Sequence, residues 1–207
     1  GNYYQVGGNS KLYGAVLMRY RAEDFEAMEH ADGVSPAWPF PYATLAPWYD
    51  AAEALYQVRG DGTEDGTEPP RSGPYPFPPV PDEPAIAGVR SRLKAVGAHP
   101  FSLPLGVDID RWLAGGMDAE TCGRAAALAH PNVRLETEAR VTGLVAGPGG
   151  RIVEVVWLQD GEERRAAPGA VAVCAGAVQS AALLLASGVA NGSDQVGRCF
   201  MNHNASA

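Results

Sequence analysis

The chain is short of cysteine, histidine, clustered basic residues and long apolar runs, and each shortage removes a class of function. Cys122, Cys174 and Cys199 are the only three thiols among 207 residues. The count is odd and no CxxC spacing occurs, so neither a disulfide framework nor a zinc site is expected, and a reducing, cytoplasmic setting is the default. His30, His99 and His130 stand singly, without a partner at metal-ligand spacing, so no metal centre is expected. Lys and Arg number 16 against 24 Asp and Glu, for a net charge of -8. Phosphate neutralisation needs clustered cations, which excludes nucleic acid or an anionic membrane as the expected partner. The pairs Arg19 with Arg21 and Arg164 with Arg165 are isolated and read as solvated surface. No stretch approaches the ~20 apolar residues of a membrane span. The first residue is Gly1, with neither an initiator Met nor a signal-peptide pattern, which reads as the middle of a longer chain.

What is present suits a ligand-binding enzyme. An apolar fraction of 46% with 19% charged residues supplies cores for one large domain or two small ones. The 25 glycines and 17 prolines cluster, which predicts long ordered loops between packed segments. A glycine turn, Val6-Gly7-Gly8-Asn9-Ser10, leads into a short apolar helix or turn over Leu12 to Met18. The prolines of Ser35 to Tyr42 predict an extended, packed loop. From Thr44 to Val58, Leu45, Trp48, Tyr49, Ala52, Leu55 and Tyr56 follow helical spacing, with Thr44 as N-cap and Pro47 in the first turn. Gly60 to Pro84 reads as a long loop, either functional or a linker. Pro84 opens a helix that ends at Gly97. A further helix, capped by Asp118 or Thr121, runs to about His130.

The remainder is more regular. Strands are predicted over Asn132 to Glu136, Ala139 to Ala146, Arg151 to Leu158 and Glu162 to Ala167, with turns at Gly147 to Gly150 and Asp160-Gly161. The uninterrupted apolar run Ala170 to Ala175 predicts a strand buried on both faces, as in a parallel sheet, with Cys174 packed as a small hydrophobe. After Gly176, a helix runs from Ala177 to Ser187. Strand, antiparallel meander, buried strand, glycine and helix, in that order, suit the second half of a dinucleotide-binding α/β domain, in which the helix N-terminus attracts phosphate. Taken separately, each glycine turn is equally well an ordinary turn.

Four motifs in series carry a resemblance. Val6-Gly7-Gly8-Asn9-Ser10-x-x-x-Gly14, Ala139-Arg140-Val141, the stretch Val173 to Gly188 beginning Val173-Cys174-Ala175-Gly176-Ala177, and Val196-Gly197-Arg198-Cys199-Phe200-Met201-Asn202-His203 together resemble the glucose-methanol-choline oxidoreductase family. There the corresponding segments read GGSSxxNG, ARV, AGAxxSPxLLLxSG and VGRNLxDH. The resemblance implies a partial FAD/NAD(P)-binding Rossmann-like α/β domain with an antiparallel β-meander and α+β substrate or cap segments. It also implies FAD as cofactor and an alcohol or sugar as small-molecule substrate, with hydride passing to flavin N5.

By that resemblance, Gly7, Gly8, Asn9 and Ser10 line the flavin, and Gly14 allows close approach. Val141 offers backbone groups to the adenine, and Ala175 with Gly176 lies under the dinucleotide. Tyr13 stands where many members have Asn, which is more like the pyranose-oxidising branch. Leu12 occupies roughly the place where some of that branch carry a flavin-linking His, so no covalent link is expected there. Members open with a GxGxxG turn and end with a catalytic His paired to His or Asn. Neither is found in this sequence, which reads as a central fragment with no assignable catalytic residue. His203 belongs to the VGRxxxxH stretch and reads as structural.

The expected divisions are a flavin-contacting segment (1–40), a substrate or cap region (41–118), the second half of the FAD domain (119–190) and the start of a substrate domain (191–207). Trp38, Trp48, Trp112 and Trp157 read as core or pocket walls, with Trp38 to Tyr49 able to shape a sugar-sized site. Two rivals remain open at this level: a non-catalytic binding domain, and a nicotinamide-dependent oxidoreductase on the same framework.

Overall fold

A computed structural model describes residues 3–109 and 116–201. The expectations placed on Trp112, Asn202 and His203 lie outside those residues. The chain is mixed α/β with small antiparallel sheets and divides into two compact units, Gly1–Arg134 and Leu135–Ala207.

The first unit is held together by short bridges rather than by a large sheet. Leu105 sits between Val16 and Arg59, and Arg59 between Leu105 and Phe77. Arg59 and Leu105 exchange both backbone hydrogen bonds, at 2.8 and 2.9 Å, and Leu17 N–H donates to Pro104 at 2.9 Å. That last bond explains why Leu12 to Met18, expected as a helix or turn, runs extended beyond Leu12 instead. A 3₁₀ turn covers Gly8–Leu12 and stops there, because Tyr13 adopts extended angles and the donors that follow are claimed by a neighbouring segment. Val58, between these bridges, is 0% exposed.

Helix α1 spans Tyr42–Leu55 and α2 spans Pro84–Ala95, while the two-stranded hairpin β1 (Met28–His30) and β2 (Gly33–Ser35) precedes α1. The N-cap of α1 lies three residues earlier than its sequence suggests. Pro41 is the N-cap, and the N–H of Thr44 donates to Pro41 O at 3.0 Å, so Thr44 lies inside the first turn. Pro47 consequently falls in the second turn, where the donor it lacks would have served the carbonyl of Ala43. Trp48 lies on the solvent side and is 70% exposed, so it is not a core or pocket wall.

The centre of this unit is ionic. Arg19, expected on the surface, has a side chain that is 0% exposed. Its Nε and Nη2 reach Glu53 at 2.7 and 2.8 Å, Nη2 reaches Asp50 at 2.6 Å, and Nη1 donates to Tyr42 Oη at 3.0 Å. Arg71 meets the same Glu53 at 2.5 Å and Glu68 at 2.8 Å, and its guanidinium lies 3.7 Å from the centre of the Tyr75 ring. Arg21 pairs with Asp65 and Glu68. Spacing alone could not show this, because the carboxylates that meet Arg19 and Arg21 come from α1 and from the long loop, 31 to 47 residues away in sequence. The loop from Gly60 to Pro84 is therefore neither a linker nor loose. Arg71 and Ser72 anchor it to Glu53 and Asp50 of α1, Asp65 and Glu68 to Arg21, and Arg90 of α2 ties it again through Glu64 and Asp82.

Burial works against charge on Glu53, but its bonds to Arg19 and Arg71 outweigh that and hold its carboxyl below the usual range. Burial likewise opposes charge on Arg19, and the bonds to Glu53, Asp50 and Tyr42 reverse the effect and raise its pKa.

Beyond the bridges, Asp118 caps a π turn over Ala119–Arg124, its Oδ1 accepting from the N–H groups of Glu120 and Thr121 at 2.8 and 2.7 Å. Helix α3, Ala125–Leu128, continues it.

The second unit is a meander of β3 (Arg140–Ala146), β4 (Ile152–Gln159) and β5 (Glu162–Ala166), followed by α4 (Ala177–Ala186). β-branched residues in β3 and β4, with turns at Pro148–Gly150 and Asp160-Gly161, favour the strands, and β5 is a polar, exposed edge strand. Leu144, Val156 and Val189 are its buried apolar residues. Two expectations fail. Residues 132–136 run without a ladder partner, and so does the apolar run Ala170 to Ala175, where Val171 and Val173 are half-buried and Cys174 is exposed. A strand exists only where a neighbour supplies its hydrogen bonds, and among the described residues no segment pairs with either run.

Replacing Arg19 by Met leaves Glu53 buried with one cation fewer, and is expected to destabilise the first unit by about 3–5 kcal/mol in urea unfolding. Acid unfolding checks the same cluster. Because the folded pKa of Glu53 is lowered, its contribution is complete above the ordinary carboxylate pKa of about 4.3 and drains away as pH falls toward the folded value. The wild-type chain should lose stability steeply below that point, and the Arg19→Met variant more gently.

Candidate functional site

The residues expected to touch a cofactor fall into two groups, one in each unit. Gly7, Gly8, Asn9, Ser10 and Gly14 lie in the first, and Val141, Ala175 and Gly176 in the second.

In the first unit, Gly7 takes φ 87° and Gly8 φ 51°, so the chain reverses through two left-handed residues before the 3₁₀ turn. The two have different surroundings. A Cβ on Gly7 would come within 3.1 Å of Lys11 and 3.3 Å of Glu120, whereas one on Gly8 meets only Tyr3 O at 3.9 Å, and one on Gly14 meets nothing within 4 Å. Gly7 is thus required by the protein's own packing, while Gly8 and Gly14 present open backbone.

The side chains of the turn are largely committed inward. Ser10 Oγ donates to Gly7 O at 2.5 Å and accepts from Ala119 N–H at 3.3 Å, and Asn9 Oδ1 accepts from Tyr3 N–H at 3.1 Å. An ion pair from Lys11 to Glu120 and the Tyr13 hydroxyl donating to Met117 O fasten the turn to the Asp118-capped helix start. Burial, reinforced by the neighbouring Tyr56, Cys122 and Asp118, pushes the Tyr13 phenol up to about 12, so it stays a neutral donor. Asp118 is held below the usual carboxylate range. Burial opposes that, and the Thr121 and Glu120 donors at its side chain override it. This fastening was missed in the sequence. Its one local signal was Asp118 ahead of an apolar helix, which gave no hint of a partner more than a hundred residues away.

In the second unit, Val141 opposes Trp157, and the register shifts before Gly143, leaving Thr142 as an extra residue on β3. Thr142 Oγ1 donates to Val156 O at 3.4 Å. The bulge bends the strand next to Val141, whose side chain is 43% exposed. Strand β3 is an edge of the sheet, and its outward Leu144 N–H is taken by Ser187 Oγ at 3.0 Å, at the C-terminal end of α4.

At the other end of α4, Gly176 has φ 81° and ψ 165°, a combination essentially confined to glycine. A Cβ there would touch nothing within 4 Å, so the constraint is conformational and the space before the bend is open. Ser180 completes the corner, its N–H donating to Gly176 O at 2.9 Å and its Oγ accepting from Ala175 N–H at 3.2 Å. Gly176 itself supplies no capping side chain, so the first turn of α4 offers backbone donors. Among the described residues no group of His, Cys, Asp and Glu could hold a metal ion, and no helix is long and apolar enough to cross a membrane.

The sequence pattern of the GMC oxidoreductases matches residues 117–205, a span that includes the bulged strand and the Gly176 corner. Over those residues the chain is similar to the GMC oxidoreductases. Among characterised members, it is 33% identical to 6'''-hydroxyparomomycin C oxidase of Streptomyces lividus and 33% identical to paromamine 6'-oxidase of Streptomyces fradiae, each alignment covering 93% of this chain and 40% of the relative. It is 37% identical to 2-methyl-1,2-propanediol dehydrogenase of Mycolicibacterium austroafricanum over 36% of this chain and 14% of that protein. The chain thus spans about 40% of the length of the two Streptomyces oxidases.

Gly176→Ala should destabilise the second unit by about 1–3 kcal/mol, although nothing blocks the added methyl, because the angles themselves are unfavourable. Urea unfolding followed through Trp157 fluorescence in a chain with the other tryptophans replaced by Phe checks this. Ser180→Ala should cost less, about 1 kcal/mol for one exposed hydrogen bond.

Proposed function

We propose that this chain forms part of an FAD-dependent oxidoreductase that acts on the CH–OH group of an alcohol or sugar. The observation that carries the reading is the Gly176 corner, an open glycine-only bend at the start of a helix, within the span that matches the family pattern. The residues fit a dinucleotide. Gly8, Gly14 and Gly176 present backbone with free space before it, and the first turn of α4 directs N–H groups toward anionic oxygen. In this reading Val141, beside a bulge on an edge strand, offers backbone groups to an adenine. Asn9 and Ser10 hold the shape of the Gly7-Gly8 bend rather than reaching outward.

FAD, when bound, supplies the hydride acceptor at flavin N5, the step that no side chain can perform. The part of this chain is to bind and orient. Open glycines let a flat ring and its phosphates approach, and the Ser10, Lys11 and Tyr13 contacts keep the first bend rigid. Rigidity matters because misplacing a hydride donor by about 1 Å can cost about a hundredfold in rate. Two relatives are named as oxidases of aminoglycosides and a third as a diol dehydrogenase. We take a hydroxylated amino sugar as the substrate class, in keeping with Tyr13 and the sugar-oxidising branch that it resembles.

The test is spectroscopic and uses the full-length gene product. Purified protein should show flavin absorbance that bleaches anaerobically on adding an alcohol substrate, with no dependence on added nicotinamide. Gly8→Val should lose the bound flavin, since a β-branched residue does not tolerate φ 51°. Full flavin occupancy in that variant, or colourless protein that reduces a nicotinamide, would refute the reading.

A further inference from the structure

We propose that the cavity between the Ala22–Phe25 turn and the β1–β2 hairpin is a binding subsite for the ammonium-bearing ring of an amino sugar. It encloses about 320 Å³, at the lower end of small-molecule sites, and lies away from both glycine bends in sequence. The inference rests on the substrate class proposed above but concerns residues that play no part in holding a flavin.

Three features of the lining point to the same ligand. Tyr20 and Trp38 face the cavity while 61% and 50% exposed, so ring surface is available. Trp38 is nonetheless held. Its backbone N–H donates to Phe25 O at 3.0 Å, and its ring lies 5.5 Å from that of Phe25 and 5.7 Å from that of Phe40. A fixed aromatic face is suited to the C–H face of a pyranose and to a cation above it. The second feature is the polar wall opposite, where His30 Nε2 and Ser35 Oγ lie 3.0 Å apart across the hairpin and can serve ring hydroxyls.

The third feature is charge. Asp24 and Glu26 line the cavity, and from Ala22 through Val58 the sequence contains no Lys or Arg. Of the acidic residues in that stretch, Asp50 and Glu53 are neutralised by Arg19 and Arg71. Glu23, Asp24, Glu26, Glu29 and Asp32 have no cationic side-chain partner among the described residues. The field at the cavity, set chiefly by Asp24 and Glu26 on its wall, is therefore negative, attracting a cation and repelling phosphate or carboxylate ligands. Aromatic faces, hydroxyl partners and unneutralised carboxylates together select a polyhydroxylated cation over a neutral sugar or an anion.

Calorimetric titration of paromamine into the chain tests the site, with N-acetylated paromamine and maltose as neutral probes. Paromamine should bind saturably, more weakly at high ionic strength, and at least about threefold more tightly than either neutral probe. Glu26→Gln should raise the dissociation constant about threefold or more, and Trp38→Ala by a similar factor, while Trp38→Phe, which preserves the ring packing, should bind nearly as the parent does. Glu29→Gln removes the same charge outside the cavity and should change little. Absence of binding, equal affinity for the acetylated probe, or equal weakening by Glu26→Gln and Glu29→Gln would each overturn the subsite. Urea midpoints of the variants separate lost binding from lost folding. The flavin reading is judged independently by bleaching of the full-length enzyme with a neutral alcohol. Bleaching without paromamine binding sinks only the subsite, and paromamine binding to a protein without flavin sinks only the flavin reading.

Discussion

The first unit depends on one buried carboxylate shared by two guanidinium groups. Glu53, on the inward face of α1, receives Arg19 from one side and Arg71 from the other. Removing such charges from water costs several kcal/mol each, so the arrangement is tolerable only because almost every donor and acceptor is used: Asp50, Glu68, Tyr42 and Tyr75 complete it, and among the described residues no buried side-chain polar atom lacks a partner. The consequence is directional. A greasy contact would let α1, the long loop and the Arg19 segment slide, whereas bidentate pairs fix their mutual register. A chain with 17 prolines and 25 glycines can keep irregular segments ordered in this way without a large sheet.

That rigidity reaches the first glycine bend through backbone bridges. Arg59 leaves α1 and pairs with Leu105, Leu105 with Val16, and the next residues toward the N-terminus are Ala15, Gly14 and Tyr13. Tyr13 and Lys11 then join the bend to the Asp118 helix start. The bend is held from outside by polar and ionic contacts, which leaves the open side of Gly8 and Gly14 free of side chains. In the second unit the logic is the same with fewer parts. Ser187 fixes one end of α4 to the edge of the meander, and Ser180 shapes the other end around Gly176. In both units, short-range hydroxyl hydrogen bonds define the corner and leave the glycine backbone available.

The negative hairpin face has a related origin. The stretch from Ala22 to Val58 has no cation of its own, and the arginines that could neutralise it, Arg19, Arg21 and Arg71, are consumed by the buried cluster and the loop. Satisfying the interior leaves the hairpin carboxylates unpaired at the surface.

Local chemistry was legible where the chain answers to its own neighbours. Helical spacing and Pro84 located α2, Gly147 to Gly150 and Asp160-Gly161 located the turns of the meander, and the motifs at Val141 and Gly176 fall in the span that matches the GMC pattern. Those features depend on backbone angles and on periodicity, which a few adjacent residues determine. Tertiary structure alone decided what depends on distant partners. It buried Arg19, which looked like surface, turned the Gly60 to Pro84 loop from a possible linker into a clamp, and exposed Trp48 and Cys174. It also left Ala170 to Ala175 without a ladder, since composition can make a run fit to be a strand but only a neighbouring segment can supply its hydrogen bonds. Charge and strand pairing are properties of pairs, and when the second member lies tens of residues away the sequence specifies the residue without revealing its partner.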